Sequence, residues 1–286
     1  MSMQAWPSQV ARRLQRLSIA TGVGLSLCGA AQAQFAAAVT PPRFEIGVEP
    51  GQATRQVMEI THATPGAGIY RIYTTDWRMD GAGALTFYDT LQPGSCRPWV
   101  AIERKEVTVA RGTRVRYRFE VAAPADAAPQ ECRFALMIES KPQEVMTSET
   151  SSFPMNGRIA VIVYVAVGSA RAVLEAGDSS VAAFDGRPTP MLAVRNSGNA
   201  TGRLSGILNG VDAAGAVLEF TPENLPILPG QTRRIALQAY EPGPRSAASA
   251  APSLKWPLSL RGVLEYGPDA AGRLEINRQI AERPAP

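Results

Sequence analysis

The sequence predicts an all-β chain folded as two β-sandwiches, and three observations lead there. The dominant hydrophobic period is two, turn-forming clusters recur at short intervals, and no helical stripe stands out. Thr113–Val121 alternates without a break. Val115, Tyr117, Phe119 and Val121 lie on one side, and Arg114, Arg116, Arg118 and Glu120 on the other. That is a half-buried antiparallel strand with a basic outer face. Similar runs occupy 43–48, 54–60, 69–77, 133–139, 191–195, 233–239 and 258–266. Glu-Pro-Gly at 49–51, Thr-Pro-Gly at 64–66, Asn-Ser-Gly-Asn at 196–199 and Leu-Pro-Gly at 228–230 separate them. Many short strands at such spacing argue for sandwiches.

Before the strands comes a processing segment. Arg12, Arg13 and Arg16 precede the apolar run Leu17–Ala30, and Ala31-Gln32-Ala33 supplies the small-x-small pattern of a cleavage site. The run is too short and too rich in small residues to span a bilayer, which takes about 20 apolar residues. The expectation is export, with residues 1–33 a signal peptide cleaved after Ala33. Lipidation at Cys28 and a twin-arginine signal at Arg12-Arg13 are the rival readings of this end. Loss of the leader removes three arginines and no acid, so the formal charge of +4 falls to about +1. A nearly neutral mature chain gives no electrostatic footprint for nucleic acid.

Cleavage also leaves two cysteines, Cys96 and Cys132, which in an oxidising compartment read as one disulfide. About 250 mature residues exceed what one small core serves, so two domains are expected. The boundary falls near Gly168–Ala172, giving 34–168 and 172–286. It follows the most apolar strand, Ile159–Val167, which does not alternate. Either this strand is covered on both faces, or its second face waits for a partner. The polar segment Lys141–Ser152 precedes it and reads as a long loop, ending in Phe153-Pro-Met155. Phe153 and Met155 have the spacing of one strand face. Pro242–Pro252 reads as a second loop.

Catalytic apparatus is missing from the pattern. The one histidine, His62, sits at a strand end beside a turn and reads as a solvated surface residue. One histidine and two paired cysteines make no metal site, so no metal and no cofactor are expected. Neither G-x-S-x-G, nor a phosphate loop, nor H-E-x-x-H occurs. Asp76 and Asp80 flank Trp77, where a turn after a strand accounts for them better than an acid/base pair. The arginines at 114–118 read as an outward face that discourages edge pairing rather than an anion grip. The chain is therefore not expected to be an enzyme.

The motifs together resemble the periplasmic pilus assembly chaperones of the chaperone–usher pathway (PapD-like). The matching residues are Pro-Pro-Arg43-Phe-Glu followed by Glu-Pro-Gly, Asp76-Trp77-Arg-Met-Asp80-Gly, Pro98-Trp99-Val, and Val107-Thr-Val109 with Gly112 and Val121. Ala-Pro-Ala-Asp126-Ala and Arg133–Glu139 continue the match, as do Val194–Asn199 and Leu228–Arg234 in the second half. The resemblance covers nearly all of the mature chain. It implies two immunoglobulin-like domains and a periplasmic protein that lends a strand edge to pilin-like subunits, by donor-strand complementation, and delivers them to an outer-membrane usher. Phe153 and Met155 then fill the subunit's groove, with Ile159 and Val161 beside them. The family holds the subunit's terminal carboxylate with an arginine and a lysine. Arg43 matches the arginine; Ala160 or Val161 stands at the expected lysine position, and Arg158 is the nearest cation. In an empty chaperone the exposed strand is open to self-association, which the sequence does not decide. The alternative reading is a structural component of a surface appendage or a periplasmic scaffold.

Overall fold

A computed structural model describes residues 37–81, 83–141, 143–148, 151–243 and 252–281, and the side chains of all of these except 143–148 and 151–155. The expected leader and cleavage site, Cys28 and most of Pro242–Pro252 lie outside the described residues.

The chain is all-β, with two sandwiches of immunoglobulin-like type. In the first, β1 (Ala37–Thr40), β2 (Arg43–Val48), β3 (Ala53–His62), β4 (Gly68–Met79), β5 (Leu85–Tyr88), β6 (Val100–Ile102), β7 (Glu106–Val109) and β8 (Arg114–Ala122) are followed by β9 (Glu131–Ser140). The strand β10 (Gln143–Ser148) then leads through β11 (Ser151–Met155) to β12 (Arg158–Val167). One sheet runs β1-β3-β8-β6, and the facing sheet runs β2-β12-β9-β4-β5, with β7 also on β4.

Alternation places the inner residues of both sheets in one core. Met58, Ile60, Tyr117, Phe119 and Val121 meet Phe44, Ile72, Phe134, Leu136, Ile138, Val163 and Val165. Phe119 touches Phe44 and Phe134 edge-to-face, at 5.1 and 6.3 Å. A Cys96–Cys132 disulfide, with Cα atoms 5.9 Å apart, pins the short 3-10 turn Arg97–Trp99 to the start of β9. Closing that loop contributes about 4 kcal/mol in the chain-entropy view.

Three expectations change. His62 is 1 % exposed, sharing a 2.6 Å hydrogen bond through Nδ1 with the Tyr70 hydroxyl and one of 3.1 Å through Nε2 with Thr64. It turns inward because Gly68 leaves it room: a Cβ there would come within 2.4 Å of His62 Nδ1. The arginine row of β8 is not a bare basic face. Glu59, Glu103 and Glu120 interleave with it, in pairs Arg114–Glu59, Arg118–Glu103 and Arg55–Glu120. The segment read as a loop from Lys141 is a ribbon: β10 and β11 pair antiparallel, with Val145 opposite Phe153 and Gln143 opposite Met155.

The second sandwich comprises β13 (Leu174–Phe184), β14 (Arg187–Asn196), β15 (Leu208–Val211), β16 (Val217–Pro222), β17 (Thr232–Tyr240), β18 (Leu258–Tyr266) and β19 (Gly272–Ile280). They form one continuous sheet, β13-β14-β17-β16-β15-β18-β19, folded over so that its ends approach. Leu192, Val194, Ile235 and Leu237 of one half pack on Leu208, Leu258, Leu260 and Leu264 of the other.

The turn Asn196–Asn199 couples the two units. Buried Asn196 donates to the carbonyls of Ala200 and Ile227 and accepts from the amides of Val173 and Gly198. Asn199 holds the connecting chain through the Arg171 amide and reaches the Pro129 carbonyl. Beside it Glu131, its side chain 3 % exposed, accepts from the Thr201 amide at 2.7 Å and hydroxyl at 2.6 Å. Burial raises the Glu131 pKa, outweighing the two Thr201 hydrogen bonds and Arg133, which pull it down.

Candidate functional site

The site is an interrupted strand edge. β9 pairs with β12 from Arg158 to Ala166, but β2 covers the other edge only from Ile162 to Val167. The reason lies at Pro41-Pro42. Before the prolines the chain is β1, paired with β3 in the opposite sheet; after them it is β2, parallel to β12. Proline has no amide to give a ladder, which suits a crossing between sheets. Arg158, Ile159, Ala160 and Val161 consequently have no strand on that side among the described residues. Before Gly157 the chain is β11, which pairs with β10 alone among the described residues, in a separate two-stranded ribbon.

The predicted site residues fall at different places on this edge. Val161 is fully buried and Ile159 packs against the same core. Their side chains are committed inward, which leaves their backbone, not their side chains, to meet a partner. Phe153 and Met155 lie on β11 in the paired ribbon, two residues apart. Arg158 stands at the start of β12 opposite Glu139, with Tyr73 beside it favouring its charged form.

Arg43 opens β2 directly opposite Ile162, where the free edge stops. Its side chain is 42 % exposed and donates from Nε to Glu45 Oε1 at 2.9 Å. Glu45 lies opposite Tyr164, farther from Arg158 than Arg43 itself is. Arg158 is four residues back along β12, roughly 13 Å away. Arg43 is thus turned away from Arg158, and the two cations do not converge.

What does converge on Arg43 comes from the second unit. Arg203, its side chain 13 % exposed, donates from Nε to the same Glu45 oxygen at 2.8 Å. Its Nη2 donates to the Tyr164 hydroxyl at 3.1 Å and its Nη1 to the Asn224 carbonyl at 3.0 Å. Tyr164 lies on the outer face of β12 with Trp77, 5.6 Å away edge-to-face, and Leu228 of the second unit covers them. Ala160, Ile162, Met137 and Tyr73 extend this apolar cluster towards the open edge. The second face of the apolar strand is thereby explained: at Tyr164 it is capped by the second unit, and at Ala160 and Ile162 it is partly buried against the same cluster.

Sequence reasoning reached Arg43 and the strand but missed Glu45, Tyr164 and Arg203. Glu45, two residues past Arg43, shares its strand face, and that spacing was the one available signal. Arg203 is 158 residues from its partner Glu45, and nothing local announces the pairing. Asp76 proves structural: buried, it accepts from the Gln92 amide, the Ser95 hydroxyl and Arg97. Asp80 accepts from the Ala84 amide across a turn.

No protein family model and no curated protein matches this sequence. Solved structures do resemble it. The class 5 fimbriae chaperone CfaA covers 86 % of this chain and 99 % of its own at 10 % identity, with a TM-score of 0.45. The CupB2 chaperone of Pseudomonas aeruginosa covers 85 % of this chain and 100 % of its own at 12 % identity, with a TM-score of 0.42. A CsuC–CsuE chaperone–tip subunit complex of Acinetobacter baumannii contains a chain matching over 85 % of this one and 97 % of its own, at 14 % identity and a TM-score of 0.41.

Proposed function

We propose that this chain is an exported periplasmic chaperone that captures pilin-like β-sandwich subunits lacking a strand and passes them to an outer-membrane usher. The observation that carries the reading is the free edge of β12, which ends at Arg43. A subunit strand laid along Arg158–Val161 occupies the line that β2 takes up farther down. If that strand runs parallel to β12, as β2 does, its C-terminus meets Arg43. The terminal carboxylate then makes a charge-assisted hydrogen bond, worth about 1.5–3 kcal/mol. Main-chain hydrogen bonds along the edge add about 1 kcal/mol each and carry no sequence preference. Phe153 and Met155 supply the apolar side chains that enter the subunit's groove.

In this reading no cofactor or nucleotide takes part; completion of the subunit's own fold drives its release. When empty, the same edge is open to pairing with a second copy. The test is a pull-down from periplasmic extract of the native host with the tagged mature protein, followed by mass spectrometry. Small single-sandwich subunits at one-to-one stoichiometry, lost on Phe153→Asp, are expected. An empty bead from an extract in which such subunits are expressed would refute strand donation.

A further inference from the structure

We infer that Glu45 is a built-in carboxylate that occupies Arg43 in the empty protein and competes with an incoming terminal carboxylate, and that Arg203 sets its grip. The inference rests on the reading of the β12 edge as the capture site. Three observations point to it. Glu45 and Arg43 are 50 % and 42 % exposed, so their contact is the kind that opens at little cost. Arg203 is far less exposed and is also held by Tyr164 and Asn224, so it stays in place when Arg43 turns away. Both arginines meet one oxygen, Oε1, through Nε, and Arg43 makes no other hydrogen bond among the described residues. Its two Nη groups carry no hydrogen bond among the described residues, and its backbone stands opposite Ile162, where the free edge ends.

Exchange then needs no large movement. The incoming carboxylate takes Arg43, and Glu45 keeps Arg203. Arg203 is a positioning residue: by holding Glu45 it prevents a two-point grip of that carboxylate on Arg43. Glu45→Gln keeps the side chain's shape and removes the competing charge. Arg203→Ala frees Glu45 to close on Arg43.

The test uses the tagged mature protein and a short peptide of alternating valine and threonine, with either a free C-terminal carboxylate or a C-terminal amide. The quantity read by calorimetry is the ratio of acid to amide affinity, which a general loss of packing does not move. Glu45→Gln is expected to raise the ratio by on the order of fivefold, the screened cost of two carboxylates at contact range. Arg203→Ala is expected to lower it, and to change it little once Glu45→Gln is present. A ratio in Glu45→Gln equal to that of the unaltered protein, or no acid-dependent binding by that variant, would overturn the inference. So would an Arg203→Ala loss of the same factor in both backgrounds. A ratio above one that survives Arg43→Ala sinks the carboxylate anchor itself, which is a separate failure.

Discussion

The two halves of β12 are built from the same kinds of residue and do different work. Ile162–Val167 lies between β2 and β9, while Arg158–Val161 has β9 alone. Both halves send alternate residues into the core, Val161 as completely as Val163. The difference is therefore not in side-chain burial but in the backbone edge, and it is made by another strand. Because the chain changes sheets at Pro41-Pro42, β2 starts four residues too late in space to cover the whole of β12. A strand can be a core element and still keep a free backbone edge when its neighbour is cut short.

That contrast can be broken by substitutions on either side of it. The largest effect is expected from Val163→Asp, which buries a charge between two paired strands: a loss of more than about 4 kcal/mol, seen as early denaturant unfolding. Should the variant unfold like the unaltered protein, the doubly paired half is not a core element. Cys96→Ala with Cys132→Ala follows, at about 4 kcal/mol by the same assay. Phe153→Asp on the free-edge side is expected to leave stability within about 1 kcal/mol while abolishing subunit capture. Equal losses of stability from Phe153→Asp and Val163→Asp would erase the distinction. Arg43→Ala is expected to leave the unfolding midpoint in place and remove the dependence of capture on a free carboxylate.

The smallest effect sharpens a different boundary, the junction behind the edge. The Glu131 pKa is raised above its ordinary 4.5, mainly by burial, with Glu45 adding to the rise and Arg133 and Thr201 opposing it. A raised folded pKa means stability that is fully present below the unfolded value and lost as pH rises through the folded one. Scanning calorimetry from acid to neutral pH should therefore show Glu131→Gln gaining on the unaltered protein as pH rises. A gap that stays constant would mean that Glu131 is as well solvated folded as unfolded.

Much of the architecture was legible in the amino-acid pattern. The run at 258–266 coincides with β18, and the alternation at 113–121 with β8, because a strand's period of two is written in its own residues. The Cys96–Cys132 pairing followed from counting the cysteines left once residues 1–33 are read as a signal peptide. What stayed hidden was relational. His62 looked like a surface residue because its shield, Tyr70, arrives from the next strand through the space Gly68 leaves. The ribbon after Lys141 looked like a loop because polar residues in a two-stranded extension have no core to alternate against.

By itself, then, the sequence determined that the chain is all-β, that its inner faces are Val115–Val121 and their like, and that Arg43 opens a strand near an apolar one. Those properties are local, set by period, turn chemistry and residue type. Only the tertiary structure decided that half of β12 lacks a neighbour and that Val161 faces inward. It also decided that Arg203, from the other unit, shares a carboxylate oxygen with Arg43. Edges and shared charges depend on which strands are cut short and which distant loops return. No window along the chain contains both partners of such a contact.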